Sequence, residues 1–164
     1  MPATTPTVPP AAFELGDVVW WQDASHAGLF RRGEVLGVTA RGLLRVALDE
    51  PAREAVVEVP AAQLLAANPT HLEGSDDLGD LSVLNPASML RAVGSRFRAK
   101  PHEQIYTRAG ALLLSVNPYR DLPSLYSYAT ARKYALGTRD VVAGDPSGLA
   151  PHLFEIAGVA FSSL

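Results

Sequence analysis

Residues 105–126 read IYTRAGALLLSVNPYRDLPSLY, and this stretch decides the fold. Residues 105–108 carry a strand pattern, Ala109-Gly110 supplies a turn, and the apolar run 112–116 predicts a second strand, buried on both faces. That strand delivers Asn117-Pro118-Tyr119-Arg120. Proline sets the chain direction where the strand ends, the side of an α/β sheet at which ligands usually bind. Asn117 and Tyr119 could offer a hydrogen-bonding group and a flat face to a purine, and Arg120 a charge-assisted contact. An Asn-Pro pair also ends strands where no ligand binds, so these four residues alone are a weak signal.

The surrounding chain is 164 residues long and 48% hydrophobic, enough for one domain or two small ones with a real core. Fourteen Lys and Arg against 17 Asp and Glu give a formal charge of -3, so no excess positive field is available to hold a nucleic-acid backbone. With no cysteine there is neither a disulfide nor a thiolate site. His26, His71, His102 and His152 lack ligand-like spacing and read as surface or helix-end residues. No run approaches the ~20 apolar residues of a membrane span, and the N-terminus lacks the basic and apolar regions of a secretory signal. A soluble, cytoplasmic protein is expected.

Residues 1–12 hold four prolines among Ala and Thr and read as a disordered leader. From Phe13 onward short strands are predicted over residues 17–21, 33–39, 43–48 and 55–59, with turns at Gly42, Asp49 and Pro51. Leu44, Val46 and Leu48, and again Ala55, Val57 and Val59, alternate with period two and share a face. So many short strands leave edges uncovered unless they curl, which predicts a small SH3-like β-barrel over residues 13–68. Trp20 and Trp21 face opposite sides of one strand, one filling the barrel and one at its rim. AAQLLAANP after Pro60 reads as a helical turn.

Residues 69–80, rich in small and acidic side chains, read as a linker. Leu84-Asn85-Pro86 then starts a helix: Asn85 caps the free amides, Pro86 takes the first helical position, and Leu84 staples onto Met89. Met89, Leu90, Val93 and Phe97 repeat at helical spacing, and the helix must end by Pro101. Beyond the strand pair, residues 126–136 are predicted helical, 137–148 a glycine-containing loop, and 151–161 an apolar helix opened by proline. The fold class is α+β, a barrel followed by an incomplete mixed segment over residues 81–164.

Other candidate chemistry reads as structure. Gly144-Asp-Pro-Ser-Gly148 is not a nucleophile elbow, because its serine is misplaced for G-x-S-x-G. Asp76, Asp77 and Asp80 are solvated or capping groups. Arg91, Arg98 and Lys100 form the wet side of a helix, and Arg96 and Arg108 are likewise taken as structural. No catalytic residue and no metal ligand is assigned.

Several separate segments, in order, resemble the myosin motor head. Residues 13–68 are similar to its N-terminal SH3-like subdomain. DLSVLNPASML at 80–90 resembles the family's DLTxLxxLNEPAVL, and Arg96-Phe97 its RF or RY. Ile105-Tyr106-Thr107 with Gly110 resembles the IYTY-G strand. Ser115-Val-Asn-Pro-Tyr-Arg120 with Leu122-Pro123 resembles the NPY-K/R turn, and APHLFEIA at 150–157 the PPHIFAIAxxAY helix. The resemblance covers about residues 13–161. In three places the chain departs from the pattern: Tyr126 lies one position later than in Leu-Pro-x-Tyr, the LNEP glutamate is absent, and residues 137–148 are longer than the family's link.

The resemblance implies an ATP-driven actin motor located on the cytoskeleton, with actin and light chains as partners and ATP with Mg2+ as ligands of the complete motor. It assigns Asn117, Pro118, Tyr119, Arg120 and Tyr126 to the border of the adenine. No G-x-x-x-x-G-K-[ST] occurs in these residues, so the chain is expected to bind nucleotide weakly and not to hydrolyse ATP by itself. The alternative is a stand-alone SH3-, KOW- or Tudor-like protein-binding module with a helical extension. GDVVWW and RRGEVLGV suit such barrels, although no ALYDY-type peptide-binding signature is present.

Overall fold

The computed structural model describes residues 13–23, 29–49, 55–99, 104–142 and 148–162, with side chains omitted at 138–142 and 162. The leader, His26, Lys100, His102 and most of the Gly144–Gly148 run lie outside these residues. Contacts divide the chain into two units, Met1–Asn68 and Pro69–Leu164.

The first unit is an SH3-like antiparallel sheet of five strands: β1 (Val18–Gln22), β2 (Phe30–Val38), β3 (Leu44–Leu48), β4 (Ala55–Val59) and β5 (Leu64–Ala66), in the order β4-β3-β2-β1-β5. Alternation puts Val19, Val35, Leu44, Val46, Leu48, Val59 and Leu64 into one apolar cluster. Burial of each such side chain stabilises by about 1.5–3 kcal/mol. Gly33 stands where a β-carbon would lie 2.5 Å from the Ala47 carbonyl oxygen, so the approach of β2 to β3 requires glycine there.

One sequence expectation changes. Residues 61–66 form only a short 3-10 turn, Ala61–Gln63, and then β5, which pairs with β1 through Val19↔Ala66 and Trp21↔Leu64. Local propensity suggested helix; a distant strand edge offered ladder hydrogen bonds and won. Trp20 is the more buried tryptophan, while half-buried Trp21, on the Val19 side, packs against the core with the Arg31 guanidinium 5.9 Å from its ring.

In the second unit, residues 69–80 are packed rather than loose. They carry 3-10 turns at Thr70–Leu72 and Leu78–Asp80, and Leu78 sits in a cluster with Leu81 and Ala92. Asp77 Oδ1 accepts from the amides of Gly79 (2.8 Å) and Gly110 (3.1 Å), capping the second turn and fixing the hairpin turn.

Helix α1 (Pro86–Ala99) starts as expected, with Asn85 Oδ1 accepting from the Ser88 amide at 2.9 Å. Its buried residues are Ala87, Ser88, Ala92 and Arg96, whereas Leu90 is 62% exposed. The apolar stripe is therefore only partly inward: Val93 and Phe97 pack against buried clusters, while Met89 and Leu90 stay exposed. Small residues allow close approach, and Arg96 brings its own partners.

β6 (Tyr106–Ala109) and β7 (Leu112–Ser115) form a two-stranded antiparallel sheet turned at Gly110, whose φ is +60°. The expectation that the second strand is buried on both faces fails: Leu112 is 69% exposed, since β6 is its one sheet neighbour among the described residues. Helix α2 (Tyr128–Val142) overruns the expected glycine loop. A β-carbon at Gly137 would lie 2.5 Å from Leu149 Cδ1, so glycine serves packing there instead of ending the helix. Helix α3 (Leu153–Ser162) follows Pro151.

Candidate functional site

Strand β7 hands the chain to a turn that Asn117 closes on itself, its Oδ1 accepting from the Tyr119 amide at 2.9 Å. Tyr119 pays for this with a left-handed backbone, φ +51°, and is 91% exposed. Immediately beyond the turn lies a cleft of about 530 Å³. Pro118, Arg120 and Tyr126 line it together with Ile105, Asp121, Leu122 and Pro123. Asn117 and Tyr119 are not among its lining residues.

The cleft floor is apolar and firm. Ile105 and Leu122 are buried with Tyr106 in a cluster to which Phe97, Leu113 and Leu125 add. Above that floor stand proline rings, a phenol, a guanidinium and a carboxylate. Such a set can flank a flat heteroaromatic ring, with the Arg120 guanidinium a donor and the Asp121 carboxylate an acceptor at its edge.

Tyr126 is held at both ends. Its hydroxyl is 2.8 Å from that of Tyr106, which burial, with the paired Tyr126 adding to it, holds well above the ordinary phenol range. Its backbone follows Leu125, whose carbonyl lies 3.1 Å from His152 Nε2. His152, 2% exposed, stacks on Tyr134 with centroids 4.7 Å apart and contacts Tyr106, Tyr126 and Phe154. It is a buried helix-end residue, not a surface one.

Below the aromatic cluster, Arg108 forms a bidentate pair with Glu155 (2.9–3.2 Å) and donates to the Leu149 carbonyl at 2.8 Å. Arg96 donates to the Tyr106 carbonyl at 3.1 and 3.3 Å and pairs with Asp76. Arg91 pairs with Glu73 at 2.8 Å. Arg96 and Arg108 hold the strand pair in place, and the structural reading of both stands, while Arg91 ties α1 to the segment before it. Among the described residues no group of three or more acidic, His or Cys side chains could hold a metal ion. No described helix is long and apolar enough to cross a membrane.

Residues 75–164 match the family model of the myosin head (motor domain). The chain belongs to the myosin head family. It is 42% identical over 83 residues to Myosin-52 of Schizosaccharomyces pombe, covering 51% of this chain and 5% of that protein. A probable myosin heavy chain of Encephalitozoon cuniculi is 31% identical over 129 residues, 79% of this chain and 6% of its own length. Myosin-M heavy chain of Dictyostelium discoideum is 26% identical over 151 residues, 91% of this chain and 8% of its own. The chain thus spans less than a tenth of the length of these relatives.

Within this myosin-head segment, sequence reasoning missed Asp121 and Ile105 as cleft residues, and His152 with its aromatic neighbours behind the cleft. Asp121 adjoins Arg120 and was within reach of the motif. His152 meets Leu125 across 27 residues of chain, a pairing with no local signature.

Proposed function

We propose that this chain is the N-terminal portion of an ATP-driven, actin-based motor head, and that the cleft at Pro118, Arg120 and Tyr126 takes the adenine of the nucleotide. The observation that carries this reading is the meeting of these three residues around one cleft in a chain of the myosin head family. Pro118 and Tyr126 offer faces to the base, and Arg120 and Asp121 offer polar contacts at its edge. Asn117 and Tyr119 act on the turn itself: the Asn117 side chain fixes its geometry and Tyr119 occupies its strained position.

Phosphate positioning and hydrolysis belong, in this reading, to the whole motor. These 164 residues contain no G-x-x-x-x-G-K-[ST] segment to cradle the β- and γ-phosphates. The Mg2+ ligands likewise come from other parts of the motor. Actin and light chains are its proposed partners, and the cytoplasmic cytoskeleton its proposed location.

Photolabelling with 2-azidoadenosine followed by peptide mapping tests the assignment. Label is expected on the peptide bearing residues 118–126, reduced by excess adenosine. Label spread over the surface, or unaffected by adenosine, would refute it.

A further inference from the structure

We propose that His152 is a positioning residue for the cleft, its neutral ring holding the backbone that presents Tyr126. Three observations carry this. First, the ring bridges two segments: Nδ1 accepts from the Phe154 amide at 3.0 Å, at the start of α3, while Nε2 stands 3.1 Å from the Leu125 carbonyl. An amide can only donate and a carbonyl only accept, so the two bonds together fix the Nε2–H tautomer. Second, the Leu125 carbonyl belongs to the peptide unit whose nitrogen is that of Tyr126, so the Nε2–H bond orients the Tyr126 backbone directly. Third, the Tyr126 phenol is tied separately to Tyr106 at 2.8 Å, so this side chain, lining the cleft, is anchored at both ends.

Protonation would undo one end of the arrangement. A proton on Nδ1 turns the acceptor of the Phe154 amide into a second donor facing it, and sets a cation against the N-terminus of α3. The groups facing the ring are the phenols of Tyr106 and Tyr126, the Tyr134 phenol from α2, and the Glu155 carboxylate of α3, which Arg108 of β6 already neutralises. Burial lowers the affinity of His152 for a proton, with the Leu125 hydrogen bond and Glu155 acting in the opposite sense. The positioning itself does not depend on what the cleft binds; its consequence for nucleotide affinity rests on the adenine reading above.

The test uses the 164-residue chain with 13C-labelled tyrosine rings, Tyr126 being assigned through Tyr126→Phe, titrated from pH 8 toward acid. The Tyr126 signal is expected to move with the midpoint at which His152 takes up its proton. In His152→Asn, whose short amide can still cap Phe154 but has no titrating ring, the Tyr126 signal should differ from wild type at pH 7.5 and lose that pH dependence. The proposal is overturned if Tyr126 stays fixed while His152 protonates. It is equally overturned if His152→Asn leaves the Tyr126 signal unchanged at pH 7.5, or leaves its pH dependence intact. Should that variant not fold, the wild-type titration decides alone, and a Tyr126 signal unmoved down to acid unfolding counts against the proposal. No nucleotide enters this readout, so failure of adenosine to bind would strike the adenine reading and not this one.

Discussion

The Arg108 guanidinium and the Glu155 carboxylate, 47 residues apart in sequence, meet in a bidentate pair whose shortest bond is 2.9 Å. Through it the β6–β7 hairpin holds the first turn of α3. Glu155 is 8% exposed, so removing its partner leaves a buried charge. Arg108→Ala is expected to lower stability by roughly 3 kcal/mol, while Glu155→Gln, which keeps a hydrogen-bonding group, should cost less. Urea unfolding monitored by circular dichroism measures both; a loss below about 1 kcal/mol for Arg108→Ala would contradict this role.

Arg96 serves the other end of the same strand. Its guanidinium donates twice to the Tyr106 carbonyl while pairing with Asp76. A lysine ammonium cannot reproduce that planar fork. Arg96→Lys is therefore expected to destabilise by about 1–2 kcal/mol despite the retained charge, measured in the same unfolding assay. A neutral result would show that the fork geometry is unimportant.

This arginine also shows where sequence reading stops. The strands at 55–59 and 44–48, the Asn85 cap and the proline-opened last helix all follow from local rules: period two, a capping side chain, a fixed φ. Arg96 was legible as part of a family landmark, but its burial depends on Asp76 and Tyr106, which no helical periodicity can announce. β5 was hidden for the same reason, its partner β1 lying more than forty residues upstream of its own ladder positions. In the cleft, Pro118, Arg120 and Tyr126 were legible because one short motif holds them. The support behind Tyr126, built from Tyr106, Tyr134 and His152, was not.

Burial holds the His152 imidazole below its ordinary value of 6.5. The unfolded chain thus binds the proton first as pH falls, and the folded chain binds it only at lower pH. Stability from this group is complete above about pH 6.5 and declines below it, until the folded-state value is passed. Urea midpoints taken from pH 8 to 5 should show this decline in wild type and less of it in His152→Asn; equal slopes would contradict the assignment.

The cleft and the turn beside it should separate by mutation. Tyr126→Ala removes a ring face worth about 1–3 kcal/mol to a stacked base, roughly a 5- to 150-fold loss in affinity for adenosine. Tyr119→Ala removes a side chain that is 91% exposed and does not line the cleft, and should change affinity less than twofold. Equilibrium dialysis with radiolabelled adenosine reads both, and a larger loss for Tyr119 would reverse the assignment.

Limited proteolysis should distinguish the units. The first has an apolar cluster between paired strands, whereas β7 of the second exposes Leu112 and Leu114 and has β6 as its one strand partner among the described residues. Early cuts are expected within residues 81–164, leaving a fragment near residues 13–68. A sharp, resistant core over 81–164 would contradict the expectation.

Adenine binding in the cleft is decided by amide NMR of the 15N-labelled chain titrated with adenosine to millimolar concentration, with pyrophosphate added in a parallel series. Saturable shifts are expected at Arg120, Asp121, Leu122 and Tyr126 with adenosine and none of these with pyrophosphate. Unmoved cleft amides under adenosine, or the same shifts produced by pyrophosphate alone, would contradict it.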